Sequence, residues 1–496
     1  MFLSFAFNQG DRKPAQETET VTVDAAAPVR RFPHFWETVF GSGRAELSLR
    51  EAYRRDLRQV KSATQMKYVR CHAIFHDEIG LYSEDRSGNP IYNFTYIDQV
   101  YDGFLENGVR PFVELSFMPR QLASAPIEHP FWYKPIVAPP KDWNRWEELV
   151  YRFAAHLVDR YGIEEVARWY FEVWNEPNID FWAGQPKEST YYELYDRAAR
   201  ALKRVDLRLR VGGPATAQAA WVDRFIEHCN SSATPVDFVS THVYANDTSR
   251  DVFGFEENIT RRDMVGRAVQ KVYDQVKRSS RPYLPIHWSE FNASYMNEVN
   301  VTDSPFMGPW LANTIRQCDG LVTTMAYWTF SDVFEEQGVA RSPFYGGFGL
   351  IAPGGIPKAS FNVFKLLHLL GDERADNNSE SVITTLRLDG SLAIAAWNYA
   401  PPDNQGPAKR LILAFKNLQG RKTVLIHYVD HDRGSALRAW EAMGKPQFPS
   451  RAQQETLRKS AELPPAEKRS LAVRAGEASM QLELPGHCLA LIEVLK

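Results

Sequence analysis

From Trp36 onward, short apolar runs alternate along the chain with longer amphipathic stretches that carry charge. The apolar runs are WETVFGSG (36–43), YVRCHAIF (68–75), RPFVELSF (110–117), YFEVWNEP (170–177), LRVGGPA (209–215), FVSTHVY (238–244), PIHWSEFN (285–292) and TTMAYWTF (323–330). Aromatic and β-branched residues dominate them, as suits buried strands. Between them, LREAYRRDLRQV (49–60) and WEELVYRFAAHLVDRY (146–161) repeat their apolar positions at helical spacing. Strands alternating with helices predict parallel βα units. The stretch 34–372 is long enough for an α/β fold of the (β/α)8 TIM barrel type with insertions. A doubly wound sheet is the competing architecture, but no GxGxxG follows the first strand.

Past residue 375 the rhythm changes. SVITTLRLDGSLAIAAWNY (381–399) reads as two strands around Asp389-Gly390, a hairpin signal. RLILAF, KTVLIHYV and CLALIEVL continue the β pattern, so 373–496 is expected to form an accessory β-sandwich. Residues 1–33 read as a tail in which TVTV (20–23) supplies a strand to that sandwich. The polar, Pro-bearing run 445–466 is expected as a surface excursion.

Composition narrows the class. A chain of 496 residues exceeds the usual size of one hydrophobic core. With 24% charged residues and a net charge of −3, nothing favours nucleic acid or an anionic membrane as partner. The 13% aromatic share suits sugars, bases or large cores. Cys71, Cys229, Cys318 and Cys488 lie far apart with no metal-ligand spacing, which fits free thiols in a reducing compartment. The opening MFLSFAFNQGDRKP is too short in its apolar part for a secretory signal. A cytoplasmic chain is therefore expected.

The chemistry concentrates at strand ends, where a βα barrel carries its active site. Glu176 closes the fourth apolar run and Glu290 the seventh, each close to a Trp and an Asn. A single such Glu is often only a salt-bridge partner. Two facing one cleft are what glycosidic bond cleavage requires: one protonates the leaving oxygen, the other meets the developing cation. Their environments must then hold their pKa values apart. Arg70 and His72 share a strand face by period two, so a cation there would keep one carboxylate ionised.

NEPN (175–178), SEFN (289–292), VRCHAIF (69–75) and the Glu335-Glu336 pair after AYWTF resemble glycoside hydrolase family 39, which holds β-xylosidases and α-L-iduronidases. The likeness runs from about Trp36 through the barrel and into HDRGSALRAWEAMGKPQFPS near the C-terminus. The resemblance implies a retaining mechanism, with Glu176 as acid/base and Glu290 as nucleophile. It further implies that Asn175 bonds the sugar 2-hydroxyl, that His72, His242 and Tyr244 surround the nonreducing-end sugar, and that Tyr244 reaches Glu290. Trp328 would be the aromatic platform, and Glu335 and Glu336 the hydroxyl acceptors. Without the resemblance, a strand His, a barrel Trp and an EE pair read as core or solvated surface.

Xylose is the expected sugar, because THVYAND (241–247) supplies no fixed cation for a uronate carboxylate. Arg341 or another loop cation folding in would favour iduronate, and arabinose, galactose or fucose frames stay open. The Pro- and aromatic-rich loop 118–146 could wall off the cleft for exo action on a small oligosaccharide, cover a barrel edge, or make a homo-oligomer contact. A metal-dependent hydrolase would need His72 and His76 on one ion, yet four strand residues span about 13 Å. No metal or cofactor is therefore expected. A noncatalytic sugar-binding barrel is the remaining alternative.

Overall fold

The computed structural model of the protein describes residues 17–496. The apolar opening of the chain falls within residues 1–16, outside the described residues. Eight parallel strands close into a barrel: β1 (Val39–Arg44), β2 (Tyr68–His72), β3 (Arg110–Leu115), β4 (Tyr170–Val173), β5 (Arg210–Thr216), β6 (Phe238–Tyr244), β7 (Ile286–Asn292) and β8 (Thr324–Tyr327). Each pairs with its neighbour in sequence, and Tyr327 opposite Phe40 closes the ring. Their residues are nearly all buried because helices cover the outside and side chains fill the inside.

One helix shows how the outer layer is specified. Trp143–Tyr161 buries Trp146, Leu149, Val150, Phe153, Ala154 and Leu157 along one stripe. Asp142 caps it, accepting from the backbone N–H of Asn144 at 2.9 Å and of Arg145 at 3.3 Å. Gly162, at φ 78°, lets the chain leave. Replacing Asp142 by Ala would cost about 1 kcal/mol through the lost cap.

The barrel interior is layered. At the lower end Val39, Phe112, Phe238 and Ala326 pack together, with His287 among their rings. Burial pushes the His287 imidazole down to about 3, so it is neutral. One layer up, the period-two alternation turns Arg70, Glu114 and Glu172 inward, where an apolar filling would be usual. The Trp328 ring lies across Gly41, where an added Cβ would sit 2.1 Å from Cε3. Any larger residue at 41 displaces that indole.

Apart from two short hairpins, Tyr82–Glu84 with Pro90–Tyr92 and Ile351–Ala352 with Ile356–Pro357, the rest of the β structure forms two packed sheets. Thr18–Asp24 runs parallel to Lys409–Lys416, which pairs with Ala478–Leu484. A seven-stranded sheet has Cys488–Val494 near its middle and Val29–Arg31 and Glu467–Leu471 at its edges. Along Cys488–Val494, Ala490 and Ile492 join the core between the sheets, while Leu489 and Leu491 join the barrel core. This strand is apolar on both faces because each face meets a different core. The run 445–466, expected as a surface excursion, instead carries the helix Arg451–Ser460. A Ser450–Gln453 capping box starts the helix, and Leu457 seats it in a cluster with Trp440 and Phe344. Among the described residues, no helix is long and apolar enough to cross a membrane.

Candidate active site

The fourth strand stops earlier than its apolar run suggested. It ends at Val173, since Trp174 and Glu176 adopt left-handed backbone at φ 72° and 44°. Trp174 turns away into a nest of Phe117, Trp146 and Trp182, its indole N–H bonded to Phe181 O at 2.7 Å. The bend delivers both Asn175 and Glu176 to the cavity at the C-terminal end of the barrel. The Glu176 N–H donates to Ala215 O at 2.8 Å and fixes the turn. Left-handed non-glycine residues are strained and tend to persist at working sites.

The seventh strand uses a different device. Its pairing with β6 and β8 shifts register between Trp288 and Phe291. The irregularity lets Ser289 and Glu290, adjacent in sequence, both reach inward polar partners. Ser289 donates to Glu172 at 2.5 Å, and Glu290 accepts from Arg70 Nη1 at 2.7 Å and from the Tyr244 hydroxyl at 2.6 Å.

Arg70 is fully buried and satisfies several acceptors at once. Nε donates to Glu172 at 2.6 Å, Nη1 to Glu290, and Nη2 to the Asn175 carbonyl at 3.0 Å, with Glu114 at 2.8 Å. Because the Asn175 oxygen is taken by Arg70, its amide nitrogen remains buried without a partner at the cavity. An unsatisfied buried donor is costly and marks a place for a ligand acceptor.

Glu176, His242 and Glu290 each present an atom within 4.8 Å of the others. His242 Nδ1 lies 2.9 Å from Glu176 Oε1 and 3.8 Å from Glu290 Oε1, and its Nε2 lies 3.1 Å from Ser289 Oγ. Burial, then the charges of Arg70 and His72, hold His242 well below the usual imidazole range, so it is neutral. Ser289 gives its one proton to Glu172, which is paired with Arg70, and so must receive the His242 Nε2 proton. Nδ1 is then a bare lone pair. The short contact to Glu176 requires a proton on Glu176.

The two carboxyl groups differ accordingly. Burial raises Glu176 well above the usual carboxylate range, and the charges of Glu290 and Asp247 push it further. Burial also raises Glu290, but Arg70, His72 and the Tyr244 hydroxyl pull it back. Both are raised, and Glu176 is the harder of the two to ionise.

The cavity has a volume of about 390 Å³ and gathers His72, Asn175, Glu176, Tyr244, Glu290, Trp328 and Glu336 in its wall. His242 stands directly behind it. His72 donates or accepts at Glu114 through Nδ1 at 2.7 Å and turns Nε2 toward Glu290 and Glu336, at 3.7 and 3.6 Å. Trp328 lies beside His72, its ring centroid 4.6 Å away. Burial and the charges of Glu290 and Glu114 raise Glu336 well above the usual range. Glu335, expected as a second hydroxyl acceptor, is not brought into the wall. Arg50 at 2.5 Å and Arg44 at 3.2 Å hold its carboxylate on the outer side of the turn.

The residue pattern missed Glu114, Glu172 and Ser289 behind the cavity, and Asp247, Gln218 and Phe348 in its wall. Glu114 and Glu172 carried a signal: each is an acid at an inward position of an otherwise apolar strand, and the two pair directly across β3 and β4. Asp247 closes the THVYAND stretch. Gln218 and Phe348 had no distinguishing pattern.

The model of the glycosyl hydrolases family 39 matches residues 19–478. The chain is 37% identical over 437 residues to a β-xylosidase of Geobacillus stearothermophilus, covering 86% of each chain. It is 34% identical over 451 residues to a β-xylosidase of Caldicellulosiruptor saccharolyticus, covering 89% of this chain and 91% of the other. A monomeric β-xylosidase from Caulobacter crescentus CB15 superposes with a TM-score of 0.87 at 34% identity, over 96% of this chain and 99% of that one. With two glutamates facing one cavity, the chain belongs to glycosyl hydrolase family 39 and is a glycoside hydrolase.

Proposed function

We propose that the protein is a retaining, exo-acting β-xylosidase that releases xylose from the nonreducing end of small xylo-oligosaccharides. The observation that carries this reading is that Glu176 and Glu290 face one cavity with a carboxylate oxygen of each within 4.8 Å of the other's. Retaining enzymes hold their carboxyl groups about 5–5.5 Å apart, whereas inversion needs about 6.5–9.5 Å to admit a water.

In this mechanism Glu290 attacks the anomeric carbon as Glu176 gives its proton to the departing oxygen. Arg70 and Tyr244 keep Glu290 anionic and aimed. The covalent bond removes the charge from Glu290, so Glu176 loses a repulsive neighbour and its pKa falls. It then takes a proton from the incoming water, and the second displacement restores the configuration. The free Asn175 amide would donate to the 2-hydroxyl, a bond that tightens in the transition state. His72 and Glu336 would hold further hydroxyls beside the Trp328 face.

Xylose is favoured over a uronate by the cavity wall. No lysine or arginine lines it among the described residues, so nothing there meets a carboxylate at C5. Arg341 lies in another depression, with Pro343, Gln447 and Phe448. Exo action is supported by a lining that runs from buried Trp328 and Phe348 to half-exposed Tyr295. The four free, buried cysteines fit a cytoplasmic setting.

A panel of p-nitrophenyl glycosides tests the specificity. The β-xyloside should be hydrolysed with the highest kcat/KM. A higher value for the α-L-iduronide, β-galactoside, β-fucoside or an arabinoside would overturn the sugar assignment.

A further inference from the structure

Asp247 is a fourth carboxyl in the cavity wall, after Glu176, Glu290 and Glu336, and takes no part in the steps above. It sits in the turn after β6, where its own N–H bonds Tyr244 O at 3.0 Å and its Oδ2 accepts from the Tyr244 N–H at 2.8 Å. Among the described residues, no side chain donates to its other oxygen. Burial, with the nearby Asp251 charge, pushes the group up to about 7. The carboxyl is thus buried, answered by one backbone donor and part of the cavity wall, the condition of a group awaiting a hydrogen-bond donor.

Its side of the cavity can be assigned. The acid Glu176 must stand over the departing oxygen, and Asp247 shares the cavity wall with Glu176 and is among the charges that raise it, after burial and Glu290. Gln218 lies on the same side. Its turn follows Ala215, whose carbonyl holds Glu176, and Asn178 clasps Ala217 through both N–H and C=O at 2.9 and 3.1 Å. Gln218 itself adopts left-handed backbone, φ 61° and ψ 31°, and lines the cavity. Ile179 and Phe181 supply apolar surface in the same wall.

Building on the glycosidase reading, we propose that Asp247 and Gln218 form the subsite for the departing group and select a hydroxylated ring, a second sugar or a polyol. The carboxylate accepts a ring hydroxyl, the amide bonds a neighbouring one, and the apolar wall meets the ring's C–H face. A nitrophenol leaving group offers neither hydroxyl.

The test is the ratio of kcat/KM for xylobiose to kcat/KM for p-nitrophenyl β-xyloside. Asp247→Asn keeps an acceptor for the Tyr244 N–H but replaces the open acceptor with an NH2. It should lower the ratio at least threefold, and Gln218→Ala should lower it in the same direction. A change of less than threefold in Asp247→Asn overturns the subsite, even if both activities fall together. Should that variant fail to fold, Gln218→Ala decides by the same threshold. If the wild-type chain cleaves neither substrate, the glycosidase reading itself fails and the subsite falls with it.

Discussion

Two buried cations stand near the upper end of the barrel, and each gathers carboxylates. Lys358 is wholly enclosed. Its ammonium lies 2.6 Å from both Asp303 and Asp332 and donates to Gly347 O at 2.8 Å. The two aspartates accept in turn from the backbone of Gly346 and Gly349 at 2.6 and 2.7 Å. None of these side chains lines the cavity, and the cluster pins the glycine-rich turn that carries Phe348. Arg70 is just as buried, but its network ends at Glu290 and Asn175, which do face the cavity. A buried charge cluster answered entirely by protein is architecture. One that leaves an anion and an amide donor open holds capacity for a ligand.

The strongest way to sharpen that contrast is to remove the open anion. Glu290→Ala should lower kcat by about 10⁶-fold, the scale on which deleting a nucleophile acts. Azide should restore turnover with inverted product, because the small anion then attacks from the vacated face. Glu176→Ala should lower kcat/KM on xylobiose by about 10²–10⁴-fold. On aryl xylosides with good leaving groups the loss should be much smaller. If azide rescues the Glu176 variant with inverted product instead, the two roles are exchanged.

Removing each cation breaks the comparison more directly. Arg70→Leu and Lys358→Met should each destabilise the fold by about 3–5 kcal/mol in chemical denaturation, since carboxylates are left buried without their partner. Only the first should move the acid limb of the kcat/KM profile. The Arg70 charge draws Glu290 down against the effect of burial, so its loss raises Glu290. Activity needs the ionised form, and the limb therefore shifts to higher pH. Lys358→Met should leave the limb in place, and an equal shift in both variants would erase the distinction. Tyr244→Phe removes one bond to Glu290 and should give the smallest change, an acid-limb shift in the same direction but below that of Arg70→Leu.

The barrel was legible because each strand is apolar over several residues and each helix shows its stripe, as in Phe238–Tyr244 and Trp143–Tyr161. The ends of strands were less so. YFEVWNEP continues apolar past Val173, and only the left-handed turn at Trp174 shows that the strand has finished. Glu176 and Glu290 stood out as acids in aromatic surroundings. Glu335 was misplaced because adjacent glutamates look alike in sequence, while the turn sends one to the cavity and the other to Arg44 and Arg50. The long-range partners of Arg70, 102 residues away at Glu172 and 220 at Glu290, depend on barrel closure that no local pattern records.

The account rests on a carboxylate pair that works by double displacement. Proton NMR of the first turnovers of p-nitrophenyl β-xyloside follows the anomeric signals before mutarotation mixes them. β-Xylose should appear first and α-xylose only afterwards. Initial release of α-xylose, or no release of xylose by the folded wild-type protein, would contradict the account.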